Sequence, residues 1–263
     1  MKKFISAIVC VGLLLGMTGC DFSDNAIKDP DSSGIEDEGI MIGDGEAMVF
    51  VRDAYVVSAK AEYDPSTTVC CHIPTVDIPL VNTIEIDSEI YNTFYPMTPT
   101  LGETWNEKDI DGIHYICGRK EDVLSILVEI DLLSDDASEF FVYNISIKSG
   151  EKVDDDAVLG IYGLSRKDFE QKVADTYEHE INTQEWIKDY AEEAGQGATE
   201  ALIRDSLSSE NLSLATPFIN DKGELCFEGG YYVPAASGYT RVIYNLDSGE
   251  QLPRLTCAEH SGQ

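Results

Sequence analysis

The chain reads as an α+β protein, an antiparallel sheet with helices packed on one face, and three patterns in it carry that expectation. Apolar residues alternate with polar ones from about residue 113 to 147. A four-residue apolar spacing follows from Phe169 to Ile181, and a second set of alternating segments runs from Thr216 to Leu246. Strands then helices then strands, rather than strict β–α alternation, argue for an antiparallel sheet over a parallel one.

Taken in order, Met48–Ser58 is rich in Val, Phe and Tyr and is expected as a strand, as is Thr67–Ile73, with Pro74 and Pro79 interrupting the pattern. Ile84, Ile90 and Phe94 predict a short helix within residues 81–94. The segment from Thr98 to Asp111 is loop-like, and Ile113–Arg119 resumes strand character. The clearest strand is Val123–Leu133, with Leu124, Ile126, Val128, Ile130 and Leu132 on one face and Ser125, Glu129 and Asp131 on the other. After a turn at Ser134–Asp136, Phe141, Tyr143, Ile145 and Ile147 continue a meander that turns again at Ser149–Gly150. Asp154, Asp155 and Asp156 read as a solvated turn.

Ser165 and Asp168 have the spacing of a capping box, and Phe169, Val173, Tyr177 and Ile181 form one stripe behind it. The helical pattern from Gln184 to Ser206 contains Gly195 and Gly197, which predict a kink or two shorter helices. Thr216–Ile219 and Glu224–Val233 are strands joined by a turn at Asn220–Gly223, and Tyr239–Leu246 is expected to close the sheet. Beyond Gly249 the reading is a loose tail.

The N-terminus determines where the protein is expected to work. Lys2 and Lys3 precede an apolar run from Phe4 to Met17, too short to span a bilayer, which ends in Met17-Thr18-Gly19-Cys20. With a cysteine at the cleavage point, the segment resembles the lipobox of bacterial lipoproteins, although Met17 stands where that motif usually has Leu. The resemblance implies lipid attachment at Cys20, removal of residues 1–19, and a protein anchored to the outer face of the bacterial cytoplasmic membrane. Two acyl chains suffice for stable anchoring, at about 0.8 kcal/mol per buried methylene. Residues 20–46 carry nine acids, one base and no sustained periodicity, the composition of a disordered tether with a span of roughly 28 Å. A single large domain is expected over residues 47–249, and the loose tail over 250–263.

Charge bounds the partners. The chain holds 49 acids against 18 bases, a formal net charge of −31. Removing the signal takes two bases and no acid, and the segment from residue 47 onwards still holds 40 acids against 15 bases. The acidity therefore belongs to the domain, and a field of that sign opposes nucleic acid and anionic lipid while favouring cationic partners or divalent ions. Acidity that serves solubility alone is the plainer reading.

Five cysteines remain after the signal and the anchor: Cys70, Cys71, Cys117, Cys226 and Cys257. Their odd number leaves at least one unpaired, and their disulfide state stays open. In a strand, Cys70 and His72 share one face while Cys71 takes the other, poor geometry for a three-ligand metal site. Core burial is the expectation.

The chemical motifs are mostly negative. There is no Gly-x-Ser-x-Gly, no phosphate-binding loop and no His-Glu-x-x-His; His179-Glu180 lacks a second histidine, and the four histidines fall in unrelated contexts. Residues 107–118 imitate the start of an EF-hand loop, but Gly118 stands where a bidentate Glu is required. No cofactor or metal is expected. For a binding surface the candidates are Tyr231, Tyr232 and Tyr239 around Pro234–Gly238, with sheet packing as their alternative role.

Three stretches resemble a known family: Asn144-Ile-Ser-Ile-Lys-Ser-Gly150, Ala215-Thr-Pro-Phe-Ile-Asn-Asp-Lys-Gly-Glu-Leu-Cys-Phe227 and Tyr232-Val-Pro-Ala-Ala-Ser-Gly-Tyr239. They are similar to extracytoplasmic domains found in a lysozyme-sensing anti-sigma factor and ahead of the catalytic domain in some peptidoglycan deacetylases. The order of elements agrees over roughly residues 49–246. The chain departs from the anti-sigma factor in having only a signal and an anchor before the domain, so signalling across the membrane by itself is not expected. The resemblance implies a non-catalytic domain recognising a cationic protein such as lysozyme, or a cell-wall glycan. A wall hydrolase or modifying enzyme, and a structural surface lipoprotein, are the alternatives.

Overall fold

The computed structural model describes residues 42–43, 47–60, 68–98, 110–132, 138–184, 186–234 and 238–255. Contacts divide the chain into Met1–Glu38, which lies outside those residues, and Gly39–Gln263. The second unit is α+β. The first sheet holds β1 (Ile42–Gly43), β2 (Val51–Lys60), β3 (Thr68–Val76), β4 (Ile110–Lys120), β5 (Val123–Leu132) and β6 (Ser138–Ser146). The meander β4–β5–β6 is antiparallel as expected, whereas β4 pairs in parallel with β1 and β3. β3 also runs on through Pro74, which faces Asp53 where β2 bulges. A proline is tolerated there because a bulge already interrupts the ladder.

The closing strand departs from expectation. β7 (Thr216–Ile219), β8 (Leu225–Tyr232) and β9 (Tyr239–Asn245) do not close the first sheet; they form a second, three-stranded antiparallel sheet. It packs on the polar face of the meander, so Ser125, Leu127 and Glu129 are buried along with the apolar face of β5. Ile116, Leu127, Phe140, Phe218, Cys226, Ile243 and Leu255 fill the space between the sheets. Polar groups stranded in that layer bond to one another or across it. Ser125 Oγ donates to Asn144 Oδ1 at 2.6 Å and Asn144 Nδ2 to the Pro217 carbonyl at 2.9 Å. Arg241 donates to Glu228 at 2.7 Å and to the Phe140 carbonyl at 3.1 Å. Gly118 marks the closest crossing, because the Ile219–Asn220 backbone occupies the space a Cβ would need.

Each outer face carries helices. α1 (Ile84–Phe94) buries Ile86, Ile90 and Phe94 against the first sheet, and Asp87 anchors it by accepting from Thr75 Oγ1, Val76 N and Thr83 Oγ1 at 2.7–2.9 Å. On the second sheet lie α2 (Asp155–Ile161), α3 (Arg166–Thr183), α4 (Trp186–Ala194), α5 (Gln196–Ser206) and α6 (Ser209–Leu212). The capping box at Ser165 and Asp168 is present, and Phe169, Val173, Tyr177 and Ile181 are all fully buried. The predicted break falls at Gly195, whose φ of 88° ends α4 and starts α5.

Two local expectations are corrected. Asp154 is the N-cap of α2, accepting from Ala157 N at 2.8 Å, and Asp155 binds Arg166 at 2.8 Å; three acids at a helix N-terminus suit its dipole better than a free turn. The tail does not leave the fold at residue 250. Gln251 bridges to Tyr244, and Leu255 is buried with its N–H on Glu129 Oε2 at 2.6 Å. Residues 256–263 lie outside the described residues.

Candidate functional site

Cys20, the expected point of lipid attachment, also lies outside the described residues. Strand alternation separates Tyr231 from the other two predicted tyrosines. Tyr231 points into the helix-side core, is 5% exposed, and its ring centre is 5.6 Å from that of Tyr177. Burial pushes its hydroxyl pKa up to about 12, with nearby Glu180 adding to the shift. Tyr231 is thus a packing residue and not a contact surface. Tyr232 and Tyr239 pair across β8 and β9 with ring centres 5.2 Å apart. Tyr239 donates to Asn211 Oδ1 at 3.0 Å, while Asn211 Nδ2 holds the Ser206 and Gly230 carbonyls, so this end of the hairpin is tied to α5 and α6. Tyr232, 40% exposed, is the member of the trio that presents the most surface.

The cysteines behave as core residues. Cys70, Cys71, Cys117 and Cys226 are buried thiols, and burial pushes Cys71 and Cys226 up to about 12, which opposes thiolate formation. Cys257 lies outside the described residues. As strand alternation predicts, Cys71 enters the core beneath α1 while Cys70 and His72 take the other face. The fold then does what the sequence did not show: parallel pairing of β3 with β4 sets His114 beside His72, with ring centres 6.5 Å apart. His72 Nδ1 lies 3.3 Å from Asp53 Oδ2, Cys70 Sγ lies 3.5 Å from Ser58 Oγ, and Gly112 leaves room for the His114 ring. Among the described residues no three His, Cys, Asp or Glu side chains converge to hold a metal ion.

A different surface gathers around α1. Tyr91 and Tyr95 stack with ring centres 4.5 Å apart and planes 15° from parallel, and Tyr55 from β2 meets Tyr95 edge-on at 5.0 Å. On the helix's other flank, Glu85 and Glu89 line an open cleft of about 520 Å³ with Asn82, Ser149, Glu151 and Lys152. Lys152 is already bound to Glu89 at 2.6 Å. Sequence reasoning missed these tyrosines. Ile84, Tyr91 and Tyr95 at i, i+7 and i+11 form a second helical stripe that could have been found, but nothing linked Tyr55 to it.

The architecture defines an α+β domain of two packed sheets with helices on both outer faces. No protein-family model, curated protein or solved structure matches the chain. Among the described residues no helix is long and apolar enough to cross a membrane.

Proposed function

We propose that this protein is a lipid-anchored recognition domain, held through Cys20 at the outer face of the bacterial cytoplasmic membrane, that binds a cationic protein of the lysozyme kind without catalysing a reaction. The observation that carries the reading is the state of its own bases. Arg52, Lys148, Lys152, Arg166, Lys172, Arg204, Arg241 and Arg254 each sit within 4.0 Å of a carboxylate of the same chain. With 40 acids against 15 bases from residue 47 onwards, the excess carboxylates have no internal cation to meet. Such a field steers basic partners and raises their association rate.

The test is binding of the chain from residue 20, carrying Cys20→Ser, to lysozyme and to an unrelated protein of similar positive charge, at low and physiological salt. Selective binding to lysozyme that survives physiological salt is expected. Equal, salt-sensitive binding to both would reduce the interaction to unspecific attraction. For the anchor, the full-length protein should take up labelled lipid and sediment with membranes, and Cys20→Ser should abolish both.

A wall-modifying enzyme is the second reading, favoured only by the shared face of Cys70, His72, His114 and Asp53. Cys70 is 3% exposed, which leaves its thiol poorly placed for attack on a polymer. Loss of a wall-modifying turnover in Cys70→Ser, with folding retained, would establish that reading in place of the first.

A further inference from the structure

Large apolar side chains that stand exposed are concentrated at one place. Of the eight among the described residues, half (Leu80, Ile84, Tyr91 and Tyr95) lie on α1 or within four residues of it. Ile84, Tyr91 and Tyr95 are 70%, 42% and 39% exposed and fall on one flank of the helix, away from the buried stripe of Ile86, Ile90 and Phe94. An exposed apolar patch of this kind marks an interaction surface more often than scattered single residues do. The rings are also held in place: Tyr55 packs on Tyr95 and Tyr95 on Tyr91, so little side-chain freedom remains to be lost on binding.

Four other rings of the chain carry a cation that these two lack. Lys120 stands 4.2 Å from the centre of Tyr162, Arg166 5.2 Å from Phe169, Lys152 5.5 Å from Tyr143 and Arg119 5.6 Å from Phe50. Among the described residues no Lys or Arg stands over Tyr91 or Tyr95. α1 itself carries Glu85, Asp87 and Glu89 and no base. Asp87 is spent on holding the helix to β3, whereas Glu85 and Glu151 face the cleft on the opposite flank, where Lys152 is already engaged by Glu89.

We propose that α1 is the docking face for the basic partner, with an Arg or Lys side chain of that partner stacked on the Tyr91–Tyr95 pair and a neighbouring cation seated in the cleft between Glu85 and Glu151. Ring faces attract cations, Arg above all, and the carboxylates on the helix's other flank select a cationic polypeptide over a neutral one. The proposal rests on the recognition reading above and gives it a location, replacing Tyr231, Tyr232 and Tyr239 as the expected contacts.

The experiment measures calorimetric affinity of the Cys20→Ser chain from residue 20 for lysozyme and for an octa-arginine peptide at physiological salt. Three double variants are compared with it: Tyr91→Ala with Tyr95→Ala, Tyr91→Phe with Tyr95→Phe, and Asp189→Asn with Glu193→Gln as a remote removal of two charges on α4. The Ala pair should weaken binding about tenfold or more, while the Phe pair, which keeps both ring faces, and the remote pair stay within about twofold. If the parent chain binds and the Ala pair binds equally well, the α1 site is wrong and the recognition reading stands. If the parent chain binds neither probe even at low salt, the recognition reading itself fails and the site with it. Two further results would overturn the proposal: a dimer in solution that the Ala pair dissolves, and tyrosine-dependent binding of soluble wall glycan fragments in place of the basic probes.

Discussion

Gly118 tests the most consequential feature of the fold, the seating of the second sheet on the first. The Ile219–Asn220 backbone fills the space where a Cβ at position 118 would lie, and backbone cannot rotate aside as a side chain can. The obstructing segment is further fixed by the turn that follows, where Asn220 N bonds the Glu224 carbonyl at 3.1 Å and Tyr162 Oη holds the Gly223 carbonyl at 2.9 Å. Gly118→Ala should therefore force β7 away from β4 and destabilise the protein by about 1–3 kcal/mol or more, the usual range for overpacking. Gly160→Ala adds the same methyl group in α2, where nothing lies within 4 Å and φ is not in the left-handed region. There the helix preference of Ala should stabilise by about 0.5–1 kcal/mol. Urea unfolding followed by circular dichroism should then move in opposite directions for the two variants, by about 2–4 °C per kcal/mol if read instead as a melting temperature. Cys226 lies in the layer between the sheets and Cys71 beneath α1, so Gly118→Ala should also speed thiol labelling at Cys226 before Cys71. An unchanged midpoint for Gly118→Ala, or equal losses in both variants, would refute the close-crossing argument.

Ser165→Ala removes the cap that accepts from Asp168 N at 3.2 Å and should cost about 1 kcal/mol in the same urea assay, with Ser165→Asp retaining most of it. In the chain from residue 20 carrying Cys20→Ser and Cys257→Ser, the thiols of Cys70, Cys71, Cys117 and Cys226 should stay unlabelled by a thiol reagent until denaturant is added; rapid labelling of the native protein would contradict their burial. Burial raises the Glu129 pKa, with the bonds from Ser138 and Leu255 pulling the other way, so the folded state holds that proton more tightly than the unfolded chain does. Its contribution to stability therefore falls as pH rises from the ordinary Glu value of about 4.3 through the raised folded value. Relative to the parent, Glu129→Gln should flatten the decline in unfolding midpoint over that interval, and an identical slope would show that Glu129 does not titrate there.

α3 was legible because its signals are local, whereas the start of α2 was taken for a turn. A Ser and an Asp three residues apart, and four apolar residues at a spacing of four, specify the start and the buried face of α3 without reference to anything distant. The same holds for the Gly195 break and for the meander, where neighbouring strands are joined by short turns. Tyr231 takes the packing role that stood as the alternative to a binding surface, for a reason alternation cannot supply: both faces of β8 are covered, one by helices and the other by the first sheet. Likewise Ser125 and Glu129 look like a solvent face, and become an interior because Asn144, Ser138 and the Leu255 N–H satisfy them there.

By itself, then, the amino-acid sequence determined the acidic balance, the apolar run behind Lys2 and Lys3, the α+β class and most element boundaries. All of these follow from composition or from contacts between residues close along the chain. Only the tertiary structure decided that the last three strands form a sheet of their own, that His72 meets His114, and that Tyr55 from an edge strand braces Tyr95 and Tyr91 on α1. Those outcomes depend on which surfaces close over one another, a choice made by packing between segments tens of residues or more apart that no local period records.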